Sequence, residues 1–381
     1  MKACLLSSIH PCFDVRIFQK EARSLSQAGY EVTLVAVADF EERMVEGVRV
    51  IGLPKPRRRI LRTLNWLRIV RFALREKADV YHFHDPDLLL PALLIKMLTR
   101  RPIIYDVHEN YPEDILTKEW IPAPLRRLLS LGFRIFEDTV VPLVNGVVVV
   151  NQHLAQRFQG KSQVVIVRNY SRLEPFLDSE TPRQSATPYF VYAGRISDDR
   201  GIYECLQALV SIPDAPAALL CAGTIGHVAN GELRRLLDGS PHPRFEYLGL
   251  LPYWEIPPLF KGALAGLLCF LPTPNNLLGT PNKLFEYMSA GIPVIASDFP
   301  FLREVVAEAG CGLLVEPDDV QQIASAMASL LRDREQAAQM GQNGLRAARE
   351  RYNWQAEEPK LLALYQTLLG SSATGTRGET P

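Results

Sequence analysis

Short apolar runs rich in β-branched residues alternate with helical stretches along nearly the whole chain, and this alternation restricts the fold more than any other feature. The first series of runs is Lys2–Ser7, Glu31–Ala36, Val48–Gly52, Val80–Phe83, Pro102–Val107, Gly146–Val150 and Val164–Arg168. The second is Tyr189–Ala193, Ala218–Ala222, Phe245–Leu248, Gly266–Phe270, Pro293–Ala296 and Gly312–Val315. Helical patterns such as Phe18–Ala28, Ile202–Leu209, Lys283–Ser289 and Val320–Leu331 lie between them. Strands interleaved with helices need parallel crossovers, so each series predicts a parallel sheet covered on both faces. The expected class is α/β, with two doubly wound, Rossmann-like domains facing a cleft. A length of 381 residues suits two such domains of roughly 150–200 residues each. The boundaries expected are a first domain over 1–170, a polar linker over 171–188 and a second domain over 189–353. A helix over 354–369 is expected to pack back on the first domain, followed by a disordered tail over 370–381.

Charge narrows the partners. Lysine plus arginine and aspartate plus glutamate both number 42, so no global excess advertises a nucleic acid. Residues 1–185 nevertheless carry 27 basic and 21 acidic groups, and one stretch holds that excess. Residues 55–77, KPRRRILRTLNWLRIVRFALREK, set nine basic residues against Glu76, with apolar residues near helical spacing. Arg57, Arg58, Arg59, Arg62 and Trp66 are the candidates for an anionic membrane surface, at ~1 kcal/mol per basic residue near lipid. The same pattern also fits a helix packed on the sheet with a solvated charged face. No window reaches the ~18 uninterrupted apolar residues of a membrane span. The opening segment reads as a buried strand and not a signal peptide. The six cysteines form no C-x-x-C pair, which suits buried thiols in a reducing cytoplasm. The expected location is cytoplasmic, with a peripheral position on the inner face of the membrane.

In doubly wound sheets ligands bind outside the carboxyl ends of strands, so polar residues just after a strand matter most. In YFVYAGRISDDRGI (189–202), Gly194 frees the backbone after a strand, and Arg195 and Arg200 precede a helix. Guanidinium forks and a helix amino end suit phosphate oxygens. The two arginines also read as surface groups answering Asp198 and Asp199. Thr280-Pro281 opens a helix that places Asn282, Lys283 and Glu286 on neighbouring positions, with Gly291 closing it. A carboxylate there can accept from a vicinal diol such as a ribose, and Lys283 can face an anion; a capped surface helix with one ion pair fits equally. A buried strand delivers His108 at its end. His82 and His84 with Asp85 and Asp87 invite a metal reading, but no third clustered ligand is evident and Asp85 can instead cap a helix; no metal is expected. After the first strand, His10, Asp14 and Arg16 are candidates to face an acceptor, or the acid and base simply pair. No G-x-G-x-x-G, Walker A, H-E-x-x-H or G-x-S-x-G motif occurs.

Together these segments resemble a GT-B glycosyltransferase of the retaining family 4, of the bacterial polysaccharide-assembly type. The matches are AGR-x4-RG at 193–201, FEYLG at 245–249, PNKLFEYMSAGIPVIASDFPFLREVV at 281–306, the G-LV-P-D pattern at 312–318 and YDVHE at 105–109. The resemblance implies that the second domain binds a nucleotide-diphosphate sugar of UDP or GDP type and the first binds a glycan or lipid-linked acceptor. It implies that Arg195 and Arg200 hold the diphosphate, that Glu286 holds the ribose hydroxyls, and that His108 bonds the donor sugar. Gly279, Thr280 and Asn282 would line the sugar pocket, and Leu250 would lie near the base. The first of the family's two glutamates falls on Leu278, where Asn275 or Asn276 can substitute. The implied activity is hexosyl transfer with retention in surface polysaccharide or glycolipid assembly, with no cofactor because cationic side chains replace a metal ion. Two other readings share the fold: a sugar-nucleotide epimerase or hydrolase, and a non-catalytic nucleotide-binding partner subunit.

Overall fold

The computed structural model describes all residues except 56–61, 119–120, 180, 214 and 375–381, and all side chains except theirs and those of 62 and 371–374. The chain divides into two units, Met1–Asn169 with Glu357–Pro381, and Tyr170–Ala356. Each has its own sheet and its own hydrophobic cluster.

The first unit contains β1 (Lys2–Pro11), β2 (Glu31–Val37), β3 (Glu42–Val45), β4 (Val48–Leu53), β5 (Val80–Phe83), β6 (Ile103–Val107), β7 (Gly146–Val149) and β8 (Gln163–Ile166). They lie in the order β3-β4-β2-β1-β5-β6-β7-β8. Every pair is parallel except β3–β4, a hairpin closed by Glu46 and Gly47, whose φ angles are 49° and 78°. Two consecutive positive φ values give the mirror-image turn that matches strand twist. The sequence pattern missed β3 because ERMV lies at the edge of the sheet and buries none of its side chains.

Side chains alternate across this sheet. Leu6, Tyr81, Phe83, Tyr105, Val147 and Val149 share a core with helices Arg62–Glu76, Leu89–Thr99 and Ala123–Val140. The intervening His82 and Asp106 face the other side, where they meet Tyr365 and Arg16 from helices Trp354–Thr374 and Val15–Ala22. Gly146 lets the carboxy-terminal helix approach: a Cβ there would lie 3.1 Å from Leu364 Cδ1.

The second unit contains β9 (Tyr189–Ala193), β10 (Ala218–Ala222), β11 (Phe245–Tyr247), β12 (Ala265–Leu268), β13 (Val294–Ser297) and β14 (Gly312–Val315), all parallel. Their order is β11-β10-β9-β12-β13-β14.

The expected linker needs correction. Ser171 and Arg172 are buried, Glu174–Leu177 is helical and Phe176 is wholly buried in the second unit's core. A buried phenylalanine side chain contributes ~1.5–3 kcal/mol, which anchors that half of the segment to the second unit despite its prolines. The last helix also differs from expectation. Trp354 belongs to the second unit, its N–H donating to Ser171 O at 2.9 Å, and only from Glu357 does the helix join the first. It continues through Gly370 to Thr374, so the tail cannot begin at 370; residues 375–381 lie outside the described residues.

Candidate active site

The strand orders locate the functional loops. In the second unit the chain leaves β9 toward β10 on one side and returns as β12 on the other, so strand order reverses between β9 and β12. Such a switch point opens a crevice at the carboxyl ends of the two strands. The loops there are Gly194–Gly201 and Cys269–Pro281, which carry Arg195 and Arg200 and lead to Lys283.

These loops are fixed by backbone approaches that require glycine. Gly223 after β10 lies so close to Gly194 that a Cβ would sit 1.9 Å from Gly194 O. Gly201 has φ 66°, and its Cβ would meet Cys269 O at 1.8 Å. The two arginines are held differently. Arg200 donates from Nη1 to Asn276 Oδ1 at 3.1 Å, lies 4.6 Å over the Phe270 ring, and keeps a buried Nε with no acceptor. Arg195 is exposed and makes no side-chain hydrogen bond or ion pair among the described residues. Asp198 does not answer it, because that carboxylate accepts from the backbone N–H of Ala229 at 2.6 Å. Asp199 lies 3.6 Å from Arg200 Nε and accepts from Ser197 Oγ.

Helix Asn282–Ala290 follows Pro281, has no side-chain cap at its amino end, and closes on Gly291 in the left-handed region. Glu286 is buried and accepts from Lys283 Nζ at 2.9 Å. Lys283 Cε would lie 3.2 Å from a Cβ at Gly194, so the lysine stands beside the loop that carries Arg195. Gly279 packs against Asn275 O at 2.6 Å from a built Cβ, next to Thr280. Asn276 is not free to replace the carboxylate missing at Leu278: its amide donates to Asp199 O and Leu271 O while its oxygen accepts from Arg200. Leu278 and Leu250 are both exposed.

In the first unit the switch point lies between β1 and β5. Asp85, following β5, is buried and accepts from Ser7 Oγ at 2.7 Å, Ser8 N at 2.6 Å and His10 Nδ1 at 2.9 Å. It stands before helix Pro86–Leu88, but its side chain makes no capping bond, against that alternative reading of the sequence, because the β1 loop claims its lone pairs. Burial opposes both charges of this pair, but the mutual hydrogen bond and charge attraction, with the further bonds to Asp85, together outweigh it, pushing Asp85 down to about 2 and His10 up to about 9.

Asp14 and Arg16 do not face an acceptor. Asp14 caps helix Val15–Ala22, accepting from Arg16 N and Ile17 N, and Arg16 is 3% exposed. The guanidinium forks onto Asp106 at 2.8 and 3.0 Å, lies 3.0 Å from Glu21 Oε1, and donates to Val167 O. Asp106 also lies 3.1 Å from His108 Nε2 and 3.3 Å from His84 Nδ1. Despite the burial that disfavours its charge, Arg16 and His108 hold Asp106 well below the usual carboxylate range. Burial, then the neighbouring Asp106 charge, push Glu21 well above it. Burial also lowers His82 and His84. His108, at the end of β6, keeps 22% of its side chain exposed and is the member of this network that reaches the surface.

The sequence suggested no third ligand beside His82 and His84. The fold supplies two: Glu21, His82, His84 and Asp106 offer ligand atoms all within 4.8 Å of one another. Arg16 already contacts both carboxylates, however, so a fixed positive charge occupies the side a divalent ion would share. Glu21 was missed because it belongs to a helix read only for its apolar face, although its position three residues after Phe18 and one before Ala22 puts a charge on that face. Trp66 is not an outward anchor: its indole donates to Asp87 Oδ2 at 2.8 Å and its ring packs on the core. Arg57, Arg58 and Arg59 lie outside the described residues, as does the Arg62 side chain.

Comparison with known proteins agrees with this geometry. Residues 15–169 match the glycosyl transferase 4-like domain and residues 175–347 the glycosyl transferases group 1 family. The chain is 25% identical over 364 residues to a sulfoquinovosyl transferase of Arabidopsis thaliana, covering 90% of this chain and 68% of that one. It is 25% identical over 376 residues to a phosphatidyl-myo-inositol mannosyltransferase of Mycolicibacterium smegmatis, covering 92% and 89%. The fold resembles a sucrose-phosphate synthase from Thermosynechococcus elongatus at a TM-score of 0.76 with 19% identity, over 97% of this chain and 99% of that one. It also resembles Anabaena Alr3699/HepE, solved in complex with UDP-glucose, at a TM-score of 0.65 and 15% identity over 98% and 100%. The chain is a glycosyltransferase of the group 1 type, built from two Rossmann-like domains with the GT-B fold of its structural relatives.

Proposed function

We propose that the chain moves a hexose from a nucleoside-diphosphate sugar, of UDP or GDP type, to a glycan or lipid-linked acceptor with retention of anomeric configuration. The observation that carries this reading is the second unit's switch point. An unpartnered Arg195, an Arg200 with a buried donor unused, Lys283 and an uncapped helix amino end all stand at the carboxyl ends of β9 and β12. As the glycosidic bond breaks, negative charge accumulates on the leaving diphosphate, and such fixed donors stabilise it more than the ground state. Glu286, with one oxygen on Lys283, offers the other to the ribose hydroxyls. In the first unit Asp106 fixes the ring of His108, the group assigned to the sugar. The positive charge comes from side chains, so EDTA is expected to leave the rate unchanged.

The mannosyltransferase and sulfoquinovosyl transferase relatives favour a glycolipid or surface-polysaccharide role and an acceptor held at a membrane. The basic stretch at 55–77 is consistent with a peripheral position on its inner face. A thermal-shift screen against nucleoside diphosphates tests the donor: at 100 times its dissociation constant the right one adds ~2.7 kcal/mol of stability. Arg195→Ala should cost about 10²–10³-fold in transfer rate, and Glu286→Ala should weaken nucleotide binding. An unchanged nucleotide affinity in Glu286→Ala would remove the ribose assignment. Product analysis settles the anomer and separates transfer from hydrolysis, which releases nucleoside diphosphate without acceptor.

A further inference from the structure

Helix Ala123–Val140 is apolar on its outward side as well as toward the core. Inward, Phe133, Phe136 and Val140 pack on the core beside polar anchors: Arg126 Nε donates to Ile121 O at 2.7 Å, Ser130 Oγ donates to Pro112 O at 2.7 Å, and Glu137 is fully buried against Tyr105 Oη at 2.8 Å and Arg157. Its outward side is apolar, with Leu125 47%, Leu128 65%, Leu129 47%, Leu131 56% and Ile135 59% exposed. Positions 125, 128, 132 and 135 recur at spacings of three and four, hence in one stripe. Nothing lies within 4 Å of a Cβ built on Gly132 at its centre, so the stripe faces open space. The concentration is local: of the 24 exposed large apolar side chains among the described residues, eleven lie on this helix and on helices Arg62–Glu76 and Leu89–Thr99. All three helices pack into the same core and so cover the same face of the first unit's sheet.

We propose that this face rests on an anionic lipid surface, with helix Ala123–Val140 as the element that enters the headgroup–acyl boundary. The inference deepens the peripheral-membrane reading above and rests on it. Charge selects the occupant. Arg127 and Arg134, the latter 3.9 Å from Asp138, flank the stripe, and Arg68, Arg71 and Arg75 lie on the neighbouring helix. The acids on these helices are already engaged, Glu76 by Arg49, Glu137 by Arg157 and Asp138 by Lys161. An apolar stripe with unbalanced arginines matches acyl chains beneath anionic headgroups, whereas a second copy of the same face would oppose like charges.

The test is sedimentation of the full chain with vesicles of phosphatidylcholine alone or mixed with phosphatidylglycerol. The native chain should pellet only with the mixed vesicles, and Leu128→Glu/Ile135→Glu should weaken that association at least tenfold. Both side chains are solvent-exposed, so the double variant should keep its thermal midpoint and its transfer to a water-soluble acceptor. Because all six native cysteines are buried, Ile135→Cys can also carry a polarity-sensitive dye, whose emission should shift to the blue on mixed vesicles. If the native chain pellets and the double variant pellets equally, with no dye shift, the helix assignment falls and the peripheral reading stands. A native chain that never pellets removes both. A concentration-dependent dimer abolished by the double variant would make the face a self-association surface and overturn the proposal.

Discussion

Arg16 and Glu21 look alike on the page, two charged residues early in a helix, yet the structure gives them opposite states. Arg16 is the counter-charge of Asp106, while burial and the Asp106 charge both disfavour the charge on Glu21. Arg16→Ala leaves the buried Asp106 carboxylate without its guanidinium, with His84 and His108 left beside it, and should cost about 3–5 kcal/mol in denaturant unfolding. Glu21→Gln mimics the protonated acid and should stay within about 1 kcal/mol of the native chain. A second residue-scale prediction concerns Asp85 and His10. The Asp85 carboxylate lies below its ordinary 3.8, so its contribution is present above that value and is lost as pH falls through about 2. His10 lies above its ordinary 6.5, so its contribution is complete below 6.5 and is lost as pH rises through about 9. The difference in melting temperature between the native chain and Asp85→Asn should therefore be widest between 3.8 and 6.5 and should narrow as pH climbs past about 9. It should not vanish, since Ser7 and Ser8 lose an acceptor at every pH. Neither partnership was legible in sequence. Asp85 and His10 are separated by the whole β1-to-β5 excursion, and adjacency across a sheet leaves no local trace.

At the scale of elements, local chemistry was more informative. Gly291 as helix terminator, Pro281 at the helix start and the strand endings at Ala193 and Ala222 all follow from residue type and agree with the observed bounds. The opening of the first helix does not. Phe18–Ala28 reads as an ordinary helix, but Val15–Ala22 is wound more loosely, with Gln19 N donating to Asp14 O five residues back. The wider turn aligns Arg16 with Glu21, five apart, on Asp106. That choice belongs to tertiary contacts and not to helix propensity. Gly201 tests how tightly the arginine loop is held. Its φ of 66° and the 1.8 Å approach of Cys269 O to a built Cβ add strain and overpacking, so Gly201→Ala should cost on the order of 3 kcal/mol. Calorimetry should register this as a melting temperature lower by roughly 6–12 °C. An unchanged midpoint would mean that the loop relaxes freely, and Arg200 would then need another explanation for its fixed place.

For the whole molecule, two cores in two units predict that a donor nucleotide acts on one of them. In hydrogen exchange with saturating UDP or GDP, protection should rise around Gly194–Gly201 and Asn282–Ala290 and leave β1 to β8 unchanged. Protection gained instead around Asp85 or Asp106 would move the nucleotide to the first unit. By itself the sequence determined the α/β class, the two series of parallel strands and the loops that follow β6, β9 and β12. Each depends on periodicity and turn chemistry within a few residues, which the unfolded chain already possesses. Tertiary structure alone decided that Phe176 anchors half of the presumed linker, that Arg16 is buried under Asp106, that Asn276 holds Arg200, and that the leucines of Ala123–Val140 point outward. A helix pattern fixes which residues share a face. Which face turns inward depends on partners such as Tyr105 and Arg157, brought from distant parts of the chain only when the sheet forms.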